Sequence, residues 1–161
     1  MTKGNFGSQR QPGQPHQCQN PQCVTCRLFG VGASERVESG PCRLVVRDCI
    51  IAEEDPATER VKEQSQGLPF TEEKTETAID RITGAAKGTT LRKTERVPAG
   101  VAFALDLSLR VMDTDDEAQL LETLKDAMRL LEKDALGGSG SRGYGKIRFE
   151  QLTLDGQAFT L

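Results

Sequence analysis

The chain has 161 residues, 36% hydrophobic and 28% charged, with 21 basic and 24 acidic side chains, one His and a formal net charge of -3. That length supports one domain with a modest core. No apolar run approaches the ~20 residues of a membrane span, and the opening stretch MTKGNFGSQRQPGQPHQ lacks the apolar core of a secretory signal. Transmembrane, exported and collagen-like classes are excluded, and a cytoplasmic protein is the expectation.

Residues 1–26 read as a polar tail followed by a knuckle. The knuckle runs His16-Gln17-Cys18-Gln19-Asn20-Pro21-Gln22-Cys23-Val24-Thr25-Cys26, a H-x-C-x4-C-x2-C spacing that contains the only His of the chain. A structural zinc site takes four soft or borderline ligands in a tetrahedron, and three Cys with one His is a standard set. Asn20-Pro21 supplies a turn between the two halves. The Gln, Pro and Gly around it offer little to bury, so metal binding would also be folding. His16, Cys18, Cys23 and Cys26 are therefore the expected ligands of a closed, structural zinc ion. The alternatives are a disordered tail whose thiols happen to cluster, and a redox Cys-x-x-Cys. The second is disfavoured because no thioredoxin-like strand precedes the pair and no helix pattern follows it. Cys42 and Cys49 read as small apolar residues in or beside a strand.

Arg27 to Gly32 form a short apolar patch expected to dock the knuckle onto the body. Residues 43–52, RLVVRDCIIA, read as a buried strand. Residues 53–73 are acidic and contain turn signals at Asp55-Pro56, Gly67 and Pro69, which predicts a surface loop or short helix. Residues 101–112 alternate. Val101, Phe103, Leu105, Leu107, Leu109 and Val111 form one apolar face, and Asp106, Ser108 and Arg110 the other, as in a half-buried antiparallel strand. Thr114-Asp115-Asp116-Glu117 reads as a capping box led by Thr114. The helix after it carries Leu120, Leu121, Leu124, Ala127, Met128 and Leu131 on one stripe, with Gly137 as its stop. Residues 146–154 read as a last strand with a bulge near Glu150. Strand, strand, helix, strand makes most of an α+β sandwich.

Charge is segregated beneath the near-neutral total: +3 over residues 1–50, -5 over 51–73, +3 over 74–110, -5 over 111–136 and +1 over 137–161. A basic surface beside acidic ones is compatible with an anionic ligand. Five basic residues fall in the sixteen positions from Arg81 to Arg96, interrupted by Gly84 and Gly88. Such a loop suits a phosphate backbone, bound chiefly through charge, or is a solvated hairpin. Five glycines lie in the nine positions from Gly137 to Gly145. Their backbone amides can approach an anion, with Arg142 and Tyr144 placed to meet phosphate and base. The helix precedes the glycines and no Gly-Lys-Ser/Thr follows, so this is not a P-loop; a flexible linker is the other reading.

Taken together, Cys23-x-x-Cys26-Arg27-x-Phe29-Gly30, the TEEKTETAIDRITGAA segment, Glu95-Arg96-Val97-Pro98-Ala99-Gly100 and Leu136-Gly137-Gly138-Ser139-Gly140-Ser141-Arg142-Gly143-Tyr144-Gly145 resemble the repeated backbone subunit of the type III-A (Csm) CRISPR effector, within the RAMP superfamily. The resemblance runs from about His16 to Phe149. It implies an α+β, ferredoxin-like (RRM-like) palm with a zinc-binding insertion and a thumb hairpin from about Ala85 to Arg96. The expected organisation is a zinc-binding segment over 1–42 and a partial palm over 43–161, with the thumb within about 74–100. The implied partners are CRISPR guide RNA, target RNA, further copies of the same or related subunits and other Csm effector subunits. The implied RNA contacts are Lys74, Arg81, Arg92, Lys93, Arg96, Gly138, Gly140, Arg142 and Tyr144. The family cleaves target RNA with an aspartate in a loop after the first strand of the palm. No Asp occurs before Asp48, so no catalytic residue carries over, and the first strand and helix of the palm are expected to be missing from this chain. The competing reading is a stand-alone zinc-ribbon module for protein interaction.

Overall fold

The structure is a computed structural model that describes residues 16, 18, 20–32, 39–65, 70–88 and 90–161. The expected tail through residue 15 and the turn signals at Gly67 and Pro69 lie outside the described residues. In chain order the elements are α1 (Val24–Phe29), β1 (Leu44–Val46), β2 (Ile50–Ile51), α2 (Pro56–Gln64), β3 (Glu72–Glu76), β4 (Arg92–Arg96), β5 (Phe103–Ala104), β6 (Leu107–Leu109), α3 (Glu117–Lys133), a 3-10 turn (Gly140–Arg142), β7 (Thr153–Leu154) and β8 (Gln157–Ala158). Among the described residues the strands pair two by two: β1 with β6, β2 with β5, β3 with β4 and β7 with β8. No helix among the described residues is long and apolar enough to cross a membrane.

The chain divides into two compact units, Met1–Val45 with Leu107–Leu161, and Val46–Asp106. The first holds the apolar core. Leu28 of α1 and Leu120, Leu124 and Met128 of α3 are buried, with Val24, Leu44, Leu107, Leu109, Phe149, Leu152 and Leu161 packed on them. The stripe on α3 therefore faces inward as its spacing predicts, and the apolar patch after the knuckle does dock, through Leu28. The cap differs from expectation. Asp116, not Thr114, is the N-cap, its carboxylate accepting from the Gln119 N–H; a carboxylate beside the positive helix terminus is the stronger acceptor. The helix ends at Lys133 with Asp134 as its C-cap, ahead of the expected stop at Gly137.

The second unit has no comparable core. Its one fully buried side chain among the described residues is Thr58, whose Oγ1 accepts from the Ala102 N–H at 2.9 Å. The acidic segment yields the short helix α2, with Pro56 in its first turn and the Asp55 carboxylate accepting from the Ala57 and Thr58 N–H groups.

Two predicted strands are broken. Residues 43–52 give β1 and β2 separated by Arg47–Cys49, and Val46 and Ile50 are exposed rather than buried. Residues 101–112 divide into β5 and β6 at Leu105–Asp106; Leu107 and Leu109 reach the core, whereas Phe103, Leu105 and Val111 stay exposed. Each ladder has only one neighbouring strand, and a two-stranded pair buries little on either face. The strand expected over 146–154 is reduced to β7. The Phe149 N–H donates to Glu132 Oε1 of α3 at 2.7 Å instead of to a strand. Gln151 takes φ 52°, a kink close to the bulge expected near Glu150.

Candidate metal centre and nucleic-acid interface

The knuckle folds around a tight turn. The Asn20 side chain accepts from the Gln22 N–H at 2.9 Å, and the Asn20 carbonyl accepts from the Cys23 N–H at 3.0 Å. Cys23 then serves as the N-cap of α1, and Cys26 lies on its buried side. A helix starts within the Cys-x-x-Cys pair and runs three residues past Cys26, where the sequence shows no helix pattern; it is only six residues long, too short to show a period.

His16, Cys18, Cys23 and Cys26 converge, with one ligand atom of each within 4.8 Å of the others. The Cys18 and Cys26 sulfurs lie 3.5 Å apart, and Cys23 Sγ is 3.3 Å from His16 Nε2. Sulfurs bound to one zinc at ~2.3 Å in a tetrahedron stand about 3.8 Å apart, so the four atoms sit at the spacing of one coordination shell. The group can hold a metal ion, and three thiols with one imidazole match a thiophilic tetrahedral ion. All five cysteines are free of disulfides. Burial pushes the Cys23 thiol up, but the Cys26 backbone N–H and hydrogen bonds with Cys18, His16 and Cys26 outweigh it and bring it to about 7. Burial, then the neighbouring Cys18 and Cys23, push Cys26 up to about 12. A metal would replace this shared proton network with thiolate bonds. Cys42 is also engaged, its thiol donating to the Leu28 and Leu44 carbonyls, and Cys49 is exposed.

An ionic cluster beside the knuckle escaped sequence reading. Asp115 receives Arg43 Nε at 2.8 Å, Arg43 Nη2 at 3.1 Å, Arg27 Nη1 at 3.3 Å and the Met112 N–H at 3.0 Å. The Arg43 hydrogen bond, opposed by burial, holds the Asp115 carboxyl below its usual range. Asp115 is 72 residues from Arg43 and 88 from Arg27, so no local pattern marks the cluster. Within the Thr-Asp-Asp-Glu run it reads only as helix-start chemistry.

The basic segment forms a hairpin of β3 and β4, with Glu72 opposite Arg96, Lys74 opposite Thr94 and Glu76 opposite Arg92. Both arms of TEEKTETAIDRITGAA–RKTER belong to it, so the first arm starts well before Ala85. Its strands are almost wholly polar. Lys93 pairs with Glu73 at 2.9 Å, Arg96 with Glu72 at 2.5 Å and Lys74 with Glu76 at 3.4 Å. Exposed Arg92 and Arg81 have no ion-pair partner among the described residues. At the tip the Asp80 carboxylate accepts from the Ile82 and Thr83 N–H groups, and Ile82 is 97% exposed.

The glycine segment is a closed loop rather than a loose linker. The Leu136 N–H donates to the Gly145 carbonyl at 2.9 Å, and the 3-10 turn Gly140–Arg142 lies inside the loop. Gly145 has φ +73° and a Cβ there would fall 2.0 Å from the Leu136 oxygen, so no side chain fits at that position. A Cβ at Gly140 would lie 2.7 Å from that of Ala135, whereas Gly138 faces open space. Arg142 is exposed, but Tyr144 is buried with 9% of its surface accessible. A ring so covered offers little free face for stacking on a base.

Comparison with known proteins places the chain in a family. The sequence profile of the RAMP superfamily matches residues 7–148. The chain is 36% identical over 140 residues to the "CRISPR system Cms endoribonuclease Csm3" of Methanocaldococcus jannaschii, covering 87% of this chain and 52% of that protein. Its likeness to the protein of that name from Methanothermobacter thermautotrophicus is 35% over 148 residues, 85% of this chain and 58% of the relative. For that from Streptococcus thermophilus it is 39% over 133 residues, 80% and 55%. The chain thus spans little more than half the length of these relatives, and on the strength of the profile match it belongs to the RAMP superfamily.

Proposed function

We propose that this chain is a guide-RNA-binding backbone subunit of a type III CRISPR ribonucleoprotein, acting in antiviral defence and shaping the paired target RNA. The observation that carries the reading is the polar hairpin with unpaired cations, in a chain similar to Csm3 endoribonucleases. Its physical basis is simple. Cations on a two-stranded ribbon meet phosphates wherever the backbone runs, and contribute affinity without reading bases. Arg81 and Arg92 are the first contacts because no carboxylate among the described residues pairs with them. Lys74, Lys93 and Arg96 follow by exchanging exposed, weak ion pairs for phosphate. The closed glycine loop adds backbone N–H groups around Gly138 and Gly140 beside the Arg142 guanidinium, while Tyr144 supports the loop from within.

Zinc is the ion that His16, Cys18, Cys23 and Cys26 hold in this reading, in a structural role, with no ligand position left for catalysis. The palm is ferredoxin-like, with the knuckle as an insertion and the β3–β4 hairpin as the thumb. Guide RNA, target RNA, further backbone copies and other Csm subunits are the partners. The residues described supply binding and shape, and no residue of this chain is assigned to cleavage.

Light scattering of the 161-residue chain with crRNA-like RNAs of increasing length tests the proposal. Particle mass should rise stepwise with RNA length. A chain that stays monomeric at every length overturns it in favour of a stand-alone interaction module.

A further inference from the structure

The ionic cluster at Asp115 has no place in the RNA-binding reading, yet it touches the turn that delivers a metal ligand. Arg27 follows Cys26 in α1. Its Nε donates to the Pro21 carbonyl at 2.9 Å and its Nη2 to Gln22 Oε1 at 2.5 Å. Pro21 and Gln22 form the turn immediately before Cys23. One guanidinium thus clasps the turn, and its remaining nitrogen reaches Asp115. Arg43 holds Asp115 from the other side and spends its last donor on the Ser39 and Pro41 carbonyls, at 2.8 and 2.5 Å. The Asp115 side chain is 1% exposed, so water cannot take its place.

We propose that Asp115 and Arg27 are positioning residues for the metal centre: Asp115 anchors Arg27, and Arg27 fixes the Pro21–Gln22 turn so that Cys23 meets His16, Cys18 and Cys26. Four ligands drawn from a polar loop must converge before they bind one ion well, and groups behind the ligands commonly set affinity by 10–100-fold. Without the carboxylate, the buried Arg43 guanidinium and the half-buried Arg27 guanidinium lose their shared anion, and the clasp on the turn is lost. The inference rests on the reading of the four-residue group as a metal site.

The test is zinc affinity by competition with a chromophoric chelator, using the full chain, with Co²⁺ absorption as a second readout of tetrahedral thiolate coordination. Asp115→Asn and Arg27→Lys should each weaken zinc binding about 10–100-fold. Met128→Ala opens the same core far along α3. It should lower the unfolding midpoint but change zinc affinity less than about twofold, since an apolar side chain makes no hydrogen bond to the Pro21–Gln22 turn or to the ligands. Unchanged affinity in Asp115→Asn and Arg27→Lys overturns the inference, as does an equal loss in Met128→Ala. Should Asp115→Asn fail to fold, Arg27→Lys against Met128→Ala decides. A wild-type chain that takes up no zinc overturns the metal reading itself, and this inference with it.

Discussion

The two units are held together by different physics. In the unit of Met1–Val45 and Leu107–Leu161, four buried apolar side chains, a four-ligand cluster and a buried carboxylate between two arginines all act on α1 and α3. In Val46–Asp106 the longest paired element is a ribbon whose ten strand residues are charged or Thr. Apolar burial fixes one arrangement regardless of what else is present, and a metal in the proposed site would add to it. Exposed ion pairs each contribute at most about 1 kcal/mol and yield readily to a competing anion. The first unit therefore has the means to persist on its own, and in the proposed function the second is the one that meets a polyanion. The contrast also explains why Ile79, Ile82 and Leu91 stand exposed near the hairpin tip: the ribbon offers them no core.

Substitutions sharpen that contrast in a clear order. Cys26→Ala should have the largest effect, abolishing stoichiometric metal and stripping hydrogen-exchange protection from α1 while leaving the β3–β4 amides as they were. Loss of hairpin protection in the same variant would break the distinction. Asp115→Asn should come next, with a signature in pH. Because the Asp115 carboxyl is held low in the folded protein, its contribution is complete above the usual carboxylate value of about 3.9 and fades as pH falls through the lower folded value. Denaturant midpoints of wild type and Asp115→Asn should differ by a constant amount above about pH 5, and the gap should start to close only as pH falls below about 4. Gly145→Ala should cost more than about 1 kcal/mol and open the loop, read as lost protection of the Leu136 amide. The smallest effect belongs to the ribbon: Glu72→Gln removes one ion-pair partner of Arg96 and should shift stability by less than about 1 kcal/mol.

What could be read from the sequence follows the reach of each signal. The His16–Cys18–Cys23–Cys26 group was legible because all four lie within eleven residues, and short spacing alone brings them together. The inward stripe of α3 was legible because seventeen helical residues give the period room to show. Strands of two or three residues have no such room, so RLVVRDCIIA read as one buried strand where the chain breaks at Asp48. The Arg27–Asp115–Arg43 cluster was invisible because its members meet only through tertiary packing. The burial of Tyr144 was out of reach for a related reason: composition marks an aromatic in a glycine loop, but not how much of its ring is covered. The glycines themselves invited a linker reading until the Leu136–Gly145 hydrogen bond closed the loop.

The claim on which the account turns is that the hairpin grips RNA through charge at Arg81 and Arg92. Affinity of the chain for a single-stranded guide-like RNA, measured across a salt series, tests it most directly. The slope of log affinity against log salt is about -0.7 per neutralised phosphate for single strands. Replacing both arginines by Ala should therefore flatten it by about 1.4 with the melting temperature unchanged. An identical slope in wild type and double variant would contradict the account.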